Sequence, residues 1–519
     1  MKEWLGRVPT FKWVGAGLLL LALTALVVFD RRYHEFWRDE AQPMLIGANV
    51  PLHRLLASKR ADGQPPFFDL LTMPVAGLVP PLQRLLFTGA MGFAALLYGT
   101  YRSILSISCR PVASLVITAL LACTYVYAYE LGVVMRVYGM GAGFALLTNA
   151  YLRDALRGHS MRPVIQGTVA GSLCFLTSSH ASTLAGGAFI AFGLVSLWRH
   201  RGVKFVLPTF FALPALGVLT LIMLPFPGRT AEANGDLHLP WEQFRMMALQ
   251  ALRGSFSPQD WWVTTCYGSP NFLDTLARLR HWGEVGILVA AVYLVALRFT
   301  AAYRSYRVLL VYDLIALFVG WAALLEILVN HYWGSPRHHL FLGLPLIVLV
   351  CGWGASLGAG RLRWSSAVAL PLMGSWLAFQ VIVCVRCLLL DVDQPFSDSK
   401  AAAAFLPEDA HLVAESITWQ EGYMLWKPHI VMRGGDQGGR RLGYVASDTA
   451  WHMGAAATPM VREECKDAPD RTYYSGSSWN LGALSTCLHL LRPASIHSEQ
   501  TRPDERFDLS QVDCACMSK

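Results

Sequence analysis

The sequence predicts an α-helical polytopic membrane protein with a small α/β domain at its C-terminal end. Three observations predict it. Of 519 residues, 54% are hydrophobic and 15% are charged, where a soluble chain carries roughly a quarter charged residues. Apolar runs long enough to span a bilayer recur from Phe11 to Leu390. Past Asp391 the composition turns polar and rich in Gly, Ser and Asp.

The first run, Phe11–Phe29, follows a short head carrying Lys2 and Arg7. It leads into Arg31-Arg32-Tyr33 with no small-residue cleavage site, so it reads as a retained signal anchor. Further spans are expected at 82–101, 111–129, 131–151, 163–179, 181–198, 205–225, 282–298, 308–330, 339–358 and 365–390. That is about eleven spans, an odd number that puts the termini on opposite sides. The apolar stretch 67–80 is short and broken by Pro74 and Pro80, and reads as a helix lying along the interface.

Basic residues orient these spans. With the N-terminus inside, the cytoplasmic connections hold Arg102 and Arg110, then Arg153, Arg157 and Arg162. Arg199, Arg201 and Lys204 follow, then Arg298, Arg304 and Arg307, and last Arg361 and Arg363. Asp154 is the acid among them, which fits the positive-inside rule. The net charge of +8 lies in these short clusters, so it is no signal for nucleic acid. The expected location is the bacterial inner membrane, with the long loops and the tail in the periplasm.

A transmembrane domain of residues 1–390 therefore carries two large outer loops, 30–81 and the Trp- and Pro-rich 226–281, with Trp282 at the exit of the second. A periplasmic domain follows at 391–519. Its expected strands are His411–Glu415, Ile430–Met432 and Leu442–Val445, and its first helix covers Asp398–Phe405. Cys465, Cys487, Cys514 and Cys516 fall in this outer domain, so one or two disulfides are expected. Four cysteines allow three pairings, and the sequence does not choose among them.

The chemistry-bearing residues collect on the outer side. Asp39-Glu40 opens the first loop, and Gln64-Pro65-Pro66-Phe67 follows. Tyr129-Glu130 closes the third span, and Arg136-Val-Tyr138 opens the fourth. Thr177-Ser-Ser-His180 ends the fifth, and Ser335-Pro-Arg337-His338-His339 leads into a late span. Structural readings compete with each. Asp39-Glu40-Ala-Gln42 also looks like a capping box, Glu130 and Arg136 can pair across a hairpin, and Arg337 can bind lipid headgroups. Glu326 near the outer end of the ninth span can face the same cavity, whereas Asp313, closer to the cytoplasmic end, can reach water.

In this order and sidedness the motifs resemble those of C-superfamily (GT-C) membrane glycosyltransferases, in particular the protein O-mannosyltransferase and lipid A aminoarabinose transferase group. The resemblance covers roughly the first 390 residues and the junction Asp391–Asp398, with His338 standing where the family has an aromatic. It implies an inverting transfer of a sugar from an undecaprenyl-phosphate carrier to a periplasmic lipid, glycan or protein. A phosphate leaves as a stable anion, so it needs positive charge rather than the proton a glycosidase supplies. One carboxylate must still take the proton of the attacking hydroxyl.

The resemblance makes Asp39 that base and Glu130 the second acid. Glu40, Gln64, Arg136, Tyr138, His180 and His338 become substrate contacts, with Arg337 on the lipid phosphate, where its fork matches the oxygens. Some family members hold a divalent cation between acids, which Asp39 and Glu130 can do; those nearest this pattern need none, and none is expected. The rival readings are a flippase or transporter of lipid-linked sugars, which would spread charges through the spans, and a polysaccharide polymerase.

Overall fold

The computed structural model describes residues 8–33, 44, 65, 67–76, 78–133, 137–158, 160–199, 206–207, 240–254, 270–300, 304–331, 339–357, 363–393, 399–414, 431–434, 458–475, 478–492 and 509–518. The chain divides into two compact units. One comprises Met1–Val28, Asp62–Phe67 and Gly89–Leu388, and the other Phe29–Ala61, Phe68–Thr88 and Leu389–Lys519.

Helices cover every expected span except 205–225, which lies outside the described residues apart from Val206 and Leu207. They are α1 (Val8–Arg32), α2 (Phe67–Thr72), α3 (Pro81–Ser108), α4 (Pro111–Ala122), α5 (Val137–Arg157), α6 (Met161–Thr177) and α7 (Ser179–Trp198). After these come α8 (Trp241–Gly254), α9 (Pro270–Thr300), α10 (Arg304–Glu326), α11 (Leu340–Leu357) and α12 (Arg363–Asp393).

Among the described residues, four stretches are long and apolar enough to cross a membrane: Trp13–Arg32, Ser179–Trp198, Arg278–Leu297 and Arg307–Val329. Leu20, Leu21 and Val292 are two-thirds or more exposed on these helices, an arrangement that suits hydrocarbon rather than water.

Two boundaries differ from the sequence reading. The span expected at 111–129 breaks after Ala122, and a π-helical segment, Tyr125–Val133, leaves α4 at 68°. Helix α9 begins at Pro270, about three turns before the expected span. Proline suits that first helical position because its missing N–H is unpaired there anyway. Trp282 is consequently inside the helix, next to an Arg280–Glu284 pair at 2.9 Å.

Small residues let the helices meet. A Cβ on Gly99 would stand 2.4 Å from the Gly143 carbonyl oxygen, so α3 and α5 cross backbone to backbone. Helices α7 and α10 do the same where Gly187 faces Ala316. Lipid supplies no hydrophobic drive between helices, so close van der Waals approach has to supply it.

The ends of these helices that carry the basic residues hold a second tie. Asp313 of α10 forms an ion pair with Arg153 of α5, both side chains being 1% exposed. Arg153 also donates to Ser106 Oγ of α3 at 3.2 Å and lies 5.7 Å from the centre of the Tyr312 ring. Trp353 of α11 donates its indole N–H to Asp313 at 3.0 Å. The expectation that Asp313 reaches water is therefore corrected: it is the buried anion of a four-helix cluster. Arg153 belongs to that cluster rather than to a solvated loop, and Asp154 beside it pairs with Arg102 at 3.0 Å.

The tail holds a mixed five-stranded sheet in the order β2-β1-β3-β5-β4. The strands are β1 (His411–Ala414), β2 (Val431–Gly434), β3 (Thr472–Ser475), β4 (Leu488–Arg492) and β5 (Leu509–Val512). Strands β2, β1 and β3 run parallel, and β5 pairs antiparallel with β3 and β4. The expected strand at Leu442–Val445 lies outside the described residues. Strand alternation sends neighbours to opposite faces. Leu412 and Tyr473 pack with α13 (Ser399–Ala403), while Val413 and Tyr474 pack with Val461 of α14 (Thr458–Asp467).

Both disulfides lie at that second face, Cys465–Cys514 and Cys487–Cys516. They pin the short α15 (Cys514–Met517) to α14 and to the turn that ends at Cys487. Each half of Cys514-Ala-Cys516 is thereby committed to a different partner. Replacing Cys465 and Cys514 by Ser is expected to cost the tail domain about 2–4 kcal/mol, since a long loop is no longer closed in the unfolded state. Limited proteolysis of the intact chain under non-reducing conditions measures this. Equal cutting rates in wild type and variant would refute it.

Candidate functional site

The site residues that the structure describes are Glu130, Tyr138 and His180, all in the first unit. Asp39, Glu40, Gln64, Arg136, Arg337 and His338 lie outside the described residues.

Glu130 does not close an α-helical span. It sits inside the π-helical segment with 1% of its surface exposed. Its Oε1 accepts a short hydrogen bond from the Tyr125 hydroxyl. Five residues along an α-helix lie about 140° apart in projection and do not meet; a π-turn closes i to i+5 and brings them together. Tyr125 in turn stacks on Tyr129 with ring centres 5.4 Å apart. The segment is anchored on both sides. Tyr127 and Thr100 of α3 share a hydrogen bond of 3.1 Å between their hydroxyls, and the Val126 N–H donates to Gln380 Oε1 of α12 at 3.4 Å.

The carboxyl is thus held in a packed wall with a defined donor. Such π-insertions cost backbone regularity and are found mostly where a side chain must be aimed. Tyr125→Phe removes the donor. A hydrogen bond to a charged group is worth about 1.5–3 kcal/mol, so with the fold retained at least a tenfold fall is expected in any reaction that needs the Glu130 carboxylate held in place. An unchanged rate in that variant would reduce Glu130 to a structural partner of Tyr125.

His180 stands at the second residue of α7, not at the end of α6. Ser178 caps α7, its Oγ accepting from the Ala181 N–H at 3.3 Å. The cap fixes the turn and buries the imidazole to 1% exposure. It stacks on Phe341 of α11 at 6.2 Å and 18°, and Tyr138 of α5 meets the same ring edge-on at 6.1 Å. His339 is near enough to act electrostatically on His180. Two residues singled out in separate motifs are therefore joined through a third, Phe341, which lies just past the Pro-Arg-His-His run. Sequence reasoning missed Phe341, Tyr125 and Gln380. Phe341 was within reach, two residues beyond His339, but the other two are apparent only once a π-turn and a helix crossing are known.

A second π-helical turn, Ile327–His331, follows Glu326 at the end of α10. Among the described residues no group of three or more His, Cys, Asp or Glu side chains is placed to hold a metal ion.

No protein-family model matches the chain, and no curated protein does. Solved structures do. The crystal structure of apo ArnT from Cupriavidus metallidurans matches with a TM-score of 0.54 at 12% identity, covering 99% of both chains. The chain has the fold of ArnT. The ArnT structure bound to undecaprenyl phosphate matches at 0.51 with 14% identity, over 97% of this chain and 98% of that one. The apo oligosaccharyltransferase of Archaeoglobus fulgidus matches at 0.44 and 11% identity over 89% of this chain and 69% of that one. The match with ArnT covers the tail as well as the helices.

Proposed function

We propose that the chain is an inverting glycosyltransferase that moves a sugar from a polyprenyl-phosphate carrier to an acceptor on the outer face of the bacterial inner membrane. The observation that carries this reading is the end-to-end fold match with a protein crystallised with undecaprenyl phosphate. Fold alone does not assign chemistry; the motifs add the reacting groups, and buried Glu130 with its tyrosine donor adds a positioned acid.

In this reading Asp39 takes the proton from the acceptor hydroxyl as it attacks the face of the sugar opposite the phosphate. The C–O bond to the phosphate breaks, and the lipid phosphate leaves as an anion against Arg337, with Arg136 in support. Glu130 orients the sugar or the acceptor. Tyr138 and His180 line the same site, and Glu40, Gln64 and His338 complete its contacts. The N-terminus is cytoplasmic and the tail periplasmic, where the acceptor is a lipid, a glycan or a protein. No metal takes part.

The test is transfer from a panel of undecaprenyl-phosphate sugars to cell-envelope fractions, with and without a divalent chelator. Transfer that survives chelation is expected, and the labelled product names the acceptor. Folded protein that binds the lipids yet transfers nothing across the panel would turn the reading toward a flippase.

A further inference from the structure

A cavity of about 250 Å³ opens between α4, α11 and α12, and neither Glu130 nor His180 lines it. Ile117, Leu121 and Leu377 are among the apolar side chains of its wall, and Arg110 contributes the one charged side chain. Two glycines of the wall, Gly354 and Gly374, face open space: a Cβ on either would meet nothing within 4 Å. The cavity also reaches the outer surface of the helices, since Leu120, another wall residue, is 49% exposed.

We propose that this cavity holds an acyl chain of an anionic phospholipid, with the headgroup phosphate on Arg110. The surroundings limit the occupant. The wall is almost wholly apolar and is formed by three helices, so a flexible hydrocarbon chain that bends to follow it is the occupant that suits it. Water is a poor occupant, because a buried water needs two to four polar partners and this wall supplies almost none. Charge selects the headgroup. Among the described residues no carboxylate pairs with the Arg110 guanidinium, and its fork matches phosphate oxygens. The distribution of basic residues puts Arg110 on the cytoplasmic side, where anionic lipids attract such groups. The lipid therefore belongs to the inner leaflet, whereas the reacting phosphate of the proposed transferase lies outside; the inference does not depend on the transfer reading.

The intact chain in lipid nanodiscs, labelled with phosphatidylglycerol or phosphatidylcholine carrying a photoactivatable acyl chain, tests it by peptide mapping. Labelling is expected to concentrate on the cavity walls of α4, α11 and α12, with about a fivefold preference for phosphatidylglycerol. Arg110→Gln should erase the preference but keep the labelling. Gly374→Phe, or Gly354→Leu should the first variant not fold, should fill the cavity and lower labelling for both lipids. Even labelling along all outward helix faces would overturn the proposal, as would equal labelling by the two headgroups in wild type. Displacement of the phospholipid by a polyprenyl-phosphate probe would assign the cavity to the donor chain instead.

Discussion

Asp39→Asn is expected to lower sugar transfer by about 10²–10⁴-fold, the usual contribution of a positioned general base. The substitution keeps the size and hydrogen-bonding reach of the side chain but removes its ability to take a proton. Donor binding should survive, because the phosphate and the lipid chain are held by other groups. The measurement is single-turnover transfer at saturating donor beside a separate lipid-binding assay. Loss of rate with binding intact assigns the base. Full activity in a well-folded Asp39→Asn protein would remove Asp39 from the chemistry. Glu40→Gln is the control: the proposed reading gives Glu40 a substrate contact and not the proton transfer, so this variant should fall far less.

The second large effect concerns stability. Breaking the Arg153–Asp313 pair by Arg153→Met or Asp313→Leu alone is expected to cost about 3–5 kcal/mol, because each leaves an uncompensated buried charge. Changing both should restore most of the loss, since two well-packed apolar groups often replace a buried pair with little penalty. Thermal unfolding of the full chain in detergent, read as a double-mutant cycle, measures the coupling. Additive single effects would mean that the pair is not the tie among α3, α5, α10 and α11. Activity is the useful second readout, because the cluster lies apart from the proposed chemistry and should affect rate only through folding.

Much of the architecture could be read from residue order alone. Twenty-residue apolar runs admit few structures in lipid, since every backbone polar group must be satisfied within the segment; helices accordingly lie on the expected spans that the described residues include. The shift at Asp391 and the short apolar run Leu412-Val-Ala414 announced the tail sheet, a strand covered on both faces reading as continuous apolar sequence. Four cysteines in the tail announced disulfides, but their pairing depends on which segments fold together, and only the packing of α14, α15 and the turn ending at Cys487 decided it.

The site was legible by residue type and illegible by geometry. Glu130 and His180 stood out because acids and histidines are costly near hydrocarbon, and Tyr138 because it completes Arg136-Val-Tyr138. What holds them did not stand out. Tyr125 reaches Glu130 only because the helix widens to a π-turn, and no local pattern in Tyr-Val-Tyr-Ala-Tyr-Glu separates that from an ordinary α-helix. Asp313 failed the sequence reading for the complementary reason. Its distance along the span suggested water, whereas its environment is set by Arg153, 160 residues earlier in the chain. The sequence by itself determined the membrane-spanning class and supplied the residue types on which the site reading draws. Only the tertiary structure decided which charges are buried partners and which aromatic rings meet, because contacts between helices depend on crossing geometry that no single segment encodes.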